Sequence, residues 1–132
     1  MSLKEVDRKE VVKYRLEKAI STFAEISVLL ENKFYRTAAN RLYYACYYAA
    51  TALLIKDEHE THSHNGVKTL LGLHYIKEGR LDNSFGIMYG QLFNLRQTGD
   101  YEDLITITEN NVLHLIEPAK NFIDTIEKLI NN

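Results

Sequence analysis

Arg96 stands where a helical repeat in the sequence predicts an apolar residue. Phe85, Tyr89 and Leu92 follow one another at steps of four and three residues, which is typical of one face of an α-helix. The next position on that face is Arg96. Its stem can pack on the edge of the core while its guanidinium reaches water or the last carbonyls of the helix. Alternatively, this face borders a cleft or a subunit interface, where the planar guanidinium can bind a phosphate.

The residues that follow Arg96 could contribute to such a cleft. Gly99 permits a sharp turn, and the cleft interpretation predicts that the turn brings Asp100 and Tyr101 back beside the arginine. Arg96, Asp100 and Tyr101 are therefore candidate catalytic residues.

Arg41 is a second arginine in an unusual setting, because it lies one or two helical turns from Thr37, Tyr44 and Tyr48. An arginine among tyrosines can form a structural cation–π pair. It can equally hold a phosphate next to rings on which a base stacks. The second alternative makes Arg41 and Tyr44 candidate binding residues for a nucleotide or RNA.

Three histidines, His59, His62 and His64, lie in the polar segment DEHETHSHNG. A zinc site needs four ligands in a defined geometry, and no cysteine is close, so we expect a solvated loop and no metal site. His64 is a candidate general acid or base if this loop folds over Arg96. The sequence has no glycine-rich phosphate loop, so no cofactor is predicted. Cys46 falls on a predicted buried stripe and is interpreted as a packing residue.

Composition limits the class of protein. The chain of 132 residues is 45% hydrophobic and 26% charged, which predicts a single globular domain over residues 1–132. The net charge of −2 excludes a broadly basic nucleic-acid-binding protein, so any phosphate contact must come from a few arginines. There is no apolar run of membrane-span length, no signal-peptide core and only one cysteine. We therefore expect no membrane association and a cytoplasmic location.

The elements that must position these residues all have a helical repeat. One proline, six glycines and little strand-like alternation predict an all-α fold: an up-and-down helical bundle of four main helices plus one short helix. The second helix is so apolar that it should be central and buried. The predicted helices cover about residues 4–31, 35–56, 67–77 (stopped by Gly79), 84–96, and 109–130 after an N-cap at Thr108.

Two further local features carry predictions. Pro118 falls inside the last helix, where it should cause a kink or a short break. Gly86 and Gly90 lie one turn apart and form a smooth patch that could admit another helix, from this chain or from a second copy.

A series of motifs resembles the HEPN domain family (higher eukaryotes and prokaryotes nucleotide-binding). The motifs are AANRLYYACYYAATALL, HNGVKTLL, IKEGRLD and LRQTGDYED, and the similarity continues to EPAKNFIDTIEKL in the same order. The resemblance implies a helical bundle that commonly dimerises and that is often encoded beside a minimal nucleotidyltransferase. One branch of the family consists of RNA-cutting toxins, whose site has an arginine followed after four to six residues by a histidine.

The resemblance also assigns roles to residues. The motif arginine falls on Arg96, and the position of the motif histidine is occupied by Tyr101. An ordinary tyrosine is a poor base near neutral pH, which argues against efficient RNA cleavage. The resemblance makes Tyr101 the candidate for the tyrosine that a partner enzyme can nucleotidylate in paired systems. The recurring pattern of the second helix falls on Asn40, Arg41, Tyr43 and Tyr44.

Three functions follow from this reading. The first is a HEPN-type homodimer that binds a nucleotide or RNA phosphate in an arginine-lined cleft, as one half of a toxin–antitoxin or nucleotidyltransferase pair. The second is an active metal-independent endoribonuclease toxin, in which Tyr101 or His64 supplies acid–base chemistry. The third is a structural adaptor that docks a partner protein. In the first, the dimer places Arg96 of each copy near the two-fold axis, because burying an unpaired guanidinium within one small bundle is costly.

Overall fold

The computed structural model describes residues 4–101 and 106–132, with the side chains of residues 98–101 excepted. These residues form α-helices and no strand, which confirms the all-α bundle predicted from the sequence. No helix within the described ranges combines the length and hydropathy needed to cross a bilayer. The helices are α1 (Glu5–Ala24), α2 (Ile26–Glu31), α3 (Tyr35–Lys56), α4 (His64–Leu71), α5 (Asn83–Tyr101) and α6 (Glu109–Asn131).

Helix α3 is the centre of the bundle, as its apolar sequence predicts. It packs against α1, α2, α4, α5 and α6. Small residues on α3 allow these helices to approach closely, and Ala38, Ala45 and Ala49 are completely buried. Larger side chains fill the remaining core, and the biggest of those that are fully buried are Tyr43, Tyr75, Tyr89 and Phe122. Because α3 is surrounded, any polar group on it must find a partner within the protein or at a cleft.

The first predicted helix is not continuous. Glu25 interrupts it between α1 and α2, where the Glu25 N–H donates to the carbonyl of Thr22 at 3.1 Å in a tight turn. The end of α2 is as predicted, because Asn32 and Lys33 form a turn and Lys33 adopts a positive φ of 60°. The break at Glu25 places a carboxylate beside α3, where it becomes a partner for Arg41.

Helix α4 begins earlier than predicted, at His64 instead of Val67. Ser63 caps it by accepting a hydrogen bond from the Gly66 N–H at 2.9 Å. A Cβ at position 66 would collide with the Thr61 side chain, so this cap requires glycine. A single π-helical turn, Gly72–Ile76, extends α4, and the chain then reverses near Gly79, whose φ is +79°. The early start converts His64 from a loop residue into the first residue of a helix.

Helix α5 continues beyond its predicted end at residue 96. It runs through Gly99 to Tyr101, so the sharp turn predicted at Gly99 is wrong. A glycine inside a helix costs about 1 kcal/mol relative to alanine and does not forbid the helix. The side chains of Asp100 and Tyr101 lie outside the described residues, so their predicted position beside Arg96 remains a prediction.

The last helix keeps its predicted start, and of the two alternatives at Pro118, a kink or a short break, the break does not occur. Thr108 is the N-cap of α6, and its backbone N–H donates to Asn111 Oδ1 at 2.8 Å. The helix runs through Pro118 without a break. Buried Leu115 and Phe122 anchor the turns on either side of the proline to the core, which offsets the loss of its backbone hydrogen bond.

The patch formed by Gly86 and Gly90 is covered by this chain itself. A Cβ on Gly86 would lie 3.5 Å from the Ile76 side chain, and one on Gly90 would lie 3.8 Å from Lys68. Both distances are ordinary van der Waals contacts, so this chain packs over the patch, but a methyl group would also fit at either position. This packing brings the start of α4 over the middle of α3.

Candidate functional site

Arg96 lies against two tyrosines of α3. Its NH2 group donates to the Tyr44 hydroxyl at 3.3 Å. Its guanidinium carbon is 5.4 Å from the centre of the Tyr43 ring and 5.6 Å from that of Tyr44, within cation–π range of both. Since α5 continues for five residues beyond Arg96, the arginine does not cap the end of the helix. The half-buried guanidinium is held across the α3–α5 groove.

His64 reaches the same tyrosines from α4. Its Nδ1 lies 2.8 Å from the Tyr43 hydroxyl, and its ring stacks on Tyr47 with centroids 4.5 Å apart. The Tyr44 ring is 5.7 Å away in an edge arrangement. His64 was a candidate functional residue only if it lay over Arg96. The fold meets this condition.

The environment keeps His64 neutral at physiological pH. Partial burial lowers its pKa below the usual value near 6.5, and the positive charge of Arg96 lowers it further. A neutral imidazole has one N–H donor and one bare nitrogen, whereas an imidazolium has two donors. Burial is thus the main cause of the lowered pKa of His64, and Arg96 adds to it.

Tyr43 contacts both Arg96 and His64. Its side chain is fully buried, its ring faces Arg96 and its hydroxyl contacts His64. Burial raises the pKa of Tyr43 to about 12, against the lowering effects of the Tyr89 hydroxyl and the Arg96 charge. The hydroxyl is therefore protonated across the physiological range. Tyr43 lies on the family pattern of the second helix, but the sequence alone gives it no role of its own, because its partners come from α4 and α5.

Four tyrosines of α3, called here the tyrosine cluster, form a continuous set of ring contacts. Neighbouring rings are 5.2 to 6.0 Å apart, and all but the first are partly exposed. The far end of the cluster meets α1, where Lys18 Nζ lies 5.3 Å from the Tyr48 ring. Cations thus flank the cluster on both sides, Arg96 on one and Lys18 on the other. The cluster consists of Tyr43, Tyr44, Tyr47 and Tyr48.

Arg41 does not share the Arg96 site. Its NH2 group is 3.4 Å from Thr22 Oγ1 and 3.5 Å from Glu25 Oε2, at the break between α1 and α2. No hydrogen bond or ring contact within the described residues links it to Arg96. The position favours the structural interpretation of Arg41, as a tie between α3 and α1. Asn40 is half-buried on α3, one turn before Tyr43 and Tyr44.

The other residues singled out from the sequence lie elsewhere. His59 stacks on His74 with centroids 4.0 Å apart, and His62 is exposed, so the three neighbouring histidines have separate surroundings. No group of three or more potential metal ligands occurs among the residues whose positions are described. Cys46 is fully buried, and burial raises the pKa of its thiol, which suits a packing role.

Comparison with known proteins agrees with the resemblance found in the sequence. The HEPN domain family matches residues 12–129. A UPF0332 protein of Thermotoga maritima is 32% identical over 126 residues, which covers 96% of both chains. A protein of Methanocaldococcus jannaschii named as a candidate toxin is 32% identical over 124 residues, covering 94% of this chain and 92% of the relative.

A second candidate toxin of Methanocaldococcus jannaschii is 27% identical over 130 residues, covering 98% of this chain and 88% of the relative. Among solved structures, the crystal structure of TT1696 from Thermus thermophilus superposes with a TM-score of 0.75 at 14% identity, covering 89% of this chain and 96% of that one. At that identity the likeness shows the fold alone.

Proposed function

The chain belongs to the HEPN domain family, and from that premise we propose that it is the toxin-type member of a paired system and binds an RNA phosphate at Arg96. One observation carries the proposal. The guanidinium of Arg96 and the imidazole of His64 meet over the same two rings, Tyr43 and Tyr44. Relatives named as candidate toxins support the biological role.

The chemistry of the site suits single nucleotides or unpaired RNA. A guanidinium can donate two parallel hydrogen bonds to a phosphate, and a neutral imidazole beside it can donate a third. The partly exposed rings of Tyr44, Tyr47 and Tyr48 offer stacking faces to bases, each worth about 1–3 kcal/mol. Because the protein carries a net charge of −2, this contact must be local, and binding should show only a shallow dependence on salt.

The proposal includes a symmetric homodimer with Arg96 of each copy near the two-fold axis. A half-buried charge on a partly exposed aromatic surface is well suited to a cleft between two copies, where it stays hydrated and can bind an anion. Two such sites would face one RNA strand. A minimal nucleotidyltransferase is the proposed partner, with Tyr101 as the residue that it modifies.

A direct binding measurement tests the phosphate site. Fluorescence anisotropy with a labelled single-stranded RNA oligonucleotide should show at least a tenfold loss of affinity for Arg96→Ala. Arg80→Ala is the matched control because it removes the same charge. Arg80 also lies over a tyrosine ring, 4.8 Å from the Tyr75 centroid. Equal losses for the two variants would mean that only net charge matters. No loss for Arg96→Ala would remove the proposed site and favour the adaptor.

Metal-independent RNA cleavage is a second candidate function, and the position of His64 favours it. In this candidate His64, on α4, would take the role of the histidine that is absent at residue 101. In such a reaction His64 would accept the proton of a ribose 2′-hydroxyl, whose oxygen forms a bond to phosphorus. The bond from phosphorus to the 5′-oxygen breaks, and that oxygen takes a proton from water, leaving a 2′,3′-cyclic phosphate and a 5′-hydroxyl. Arg96 would stabilise the extra negative charge at phosphorus.

Gel analysis of an RNA substrate tests this candidate. Efficient cleavage that both Arg96→Ala and His64→Gln abolish would establish it. With Tyr101 in the motif position, we expect slow cleavage or none.

A further inference from the structure

The contact between Tyr43 and His64 carries information about where the imidazole proton lies. The two atoms, the Tyr43 hydroxyl oxygen and His64 Nδ1, are 2.8 Å apart. A phenol has one proton to donate, and a neutral imidazole has a proton on only one of its nitrogens. Two arrangements are therefore available. Either Tyr43 donates to a bare Nδ1, or a protonated Nδ1 donates to the tyrosine oxygen.

Burial of Tyr43 distinguishes the two arrangements. Its side chain has no solvent exposure, and its hydroxyl meets His64 and, more loosely, the hydroxyl of Tyr89. If Nδ1 were the donor, the hydroxyl proton of Tyr43 would need another acceptor inside the core. The neighbouring Tyr89, whose ring is 5.8 Å away, does not take this proton, because it acts on Tyr43 as a donor: it lowers the pKa of Tyr43, whereas Tyr43 raises the pKa of Tyr89. An unmet buried donor is costly, so Tyr43 must donate to Nδ1.

From this geometry we infer that Tyr43 fixes His64 as its Nε2–H tautomer, so that the site offers His64 to a phosphate as a hydrogen-bond donor and not as a base. Tyr43 is thus a positioning residue that acts through His64. The inference rests on the proposed phosphate-binding role of Arg96, and it deepens that role. It makes both groups at the site donors, as binding of a phosphate requires, and it disfavours the base chemistry of the cleavage candidate.

The surroundings of His64 agree with a neutral donor. The groups that face its ring are Tyr43, Tyr44 and Tyr47 of α3, and the charge of Arg96 on α5 lowers its pKa after burial does. Among these groups none is an anion, and the charge of Arg96 opposes an imidazolium. A cation at this position would also require Tyr43 to reverse its hydrogen bond, because both ring nitrogens would then be donors.

Nuclear magnetic resonance of the full chain, labelled with nitrogen-15, tests the tautomer. The His64 signals are identified by their loss in His64→Gln. In the wild type the chemical shifts should show a protonated Nε2 and a bare Nδ1. In Tyr43→Phe, which keeps the ring, the shifts should move toward a mixture of tautomers. The pKa of His64 should also rise, because the hydrogen bond that favours the neutral form is gone.

Tyr75→Phe is the matched control, since it removes a buried hydroxyl that binds Asp57 and not the His64 site. It should leave the tautomer and the pKa of His64 unchanged. A protonated Nδ1 in the wild type, or a His64 signal indifferent to Tyr43→Phe, would overturn the inference.

A second experiment measures RNA affinity by fluorescence anisotropy with the same labelled oligonucleotide. Tyr43→Phe should weaken affinity by about two- to tenfold, the effect of impairing one hydrogen bond, while Tyr75→Phe should not. An unchanged affinity for Tyr43→Phe, when Arg96→Ala abolishes binding, would overturn the donor role of His64 alone. Failure of Arg96→Ala to weaken binding would overturn the proposed function, and the tautomer measurement would stand independently of it.

Discussion

Replacing Arg96 with methionine should separate function from stability. Methionine keeps an unbranched stem of similar reach but has no charge and no strong donor. The variant loses cation–π contacts with Tyr43 and Tyr44, worth about 0.5–1 kcal/mol each at a partly exposed site, and one long hydrogen bond of 3.3 Å to Tyr44. It gains apolar burial and no longer desolvates a charge. These effects nearly cancel, so the free energy of unfolding should change by less than about 1 kcal/mol.

The same substitution should have two effects that a stability change does not explain. RNA affinity should fall at least tenfold, as in Arg96→Ala. In addition, the pKa of His64 should rise toward its usual value, because the like charge that helps to lower it is removed. Denaturant unfolding measures the free energy of unfolding, and fluorescence anisotropy measures the RNA affinity. A nuclear magnetic resonance titration measures the pKa of His64. Lys68→Met is a suitable control, since it removes a cation on the same helix as His64 that lies over Phe93 instead.

Either of two results would refute this reasoning. A loss of several kcal/mol would show that Arg96 is required by the fold, and its departure from the apolar repeat would then need no functional explanation. An unchanged pKa of His64 would show that the two groups do not interact as the structure indicates.

Three further predictions concern the fold and assembly. Burial opposes ionisation of Asp57, but hydrogen bonds from Tyr75 and Arg80 outweigh it and hold its pKa below the usual value. The stability it contributes is present above about pH 4 and is lost as pH falls through its lowered pKa, so Asp57→Asn should flatten the acid limb of a pH–stability curve. Gly66→Ala should cost about 1–3 kcal/mol in denaturant unfolding, because the new methyl collides with the loop before α4; a neutral effect would contradict the cap geometry. Sedimentation across a concentration range should show a symmetric dimer, and a strict monomer, or a dimer with each Arg96 on an outer face, would remove the shared cleft.

Local patterns predicted those parts of the fold that depend on neighbours along the chain. The apolar repeat of α3 predicted its bounds, 35–56, and its buried position, because a helix with few polar positions must be surrounded. Thr108 was recognisable as an N-cap because its partner, Asn111, lies within one turn along the chain. The turn predicted at Gly99 and the break that was one alternative at Pro118 do not occur, because there a local rule competes with packing. Gly99 and Pro118 are both weak helix formers, yet α5 and α6 continue through them, the second because its neighbouring turns are anchored in the core.

The composition of the site required the tertiary structure. The sequence showed by itself that Arg96 breaks an apolar repeat, and hence that one face of α5 is exceptional. Whether His64 or Arg41 would join Arg96 depended on how helices distant along the chain pack against α3. The α4 segment fits over the glycines of α5 and delivers His64, whereas the break at Glu25 draws Arg41 toward α1. Periodicity determines which face of a helix is buried, but only the packing of several helices decides which charged and hydrogen-bonding groups meet on it.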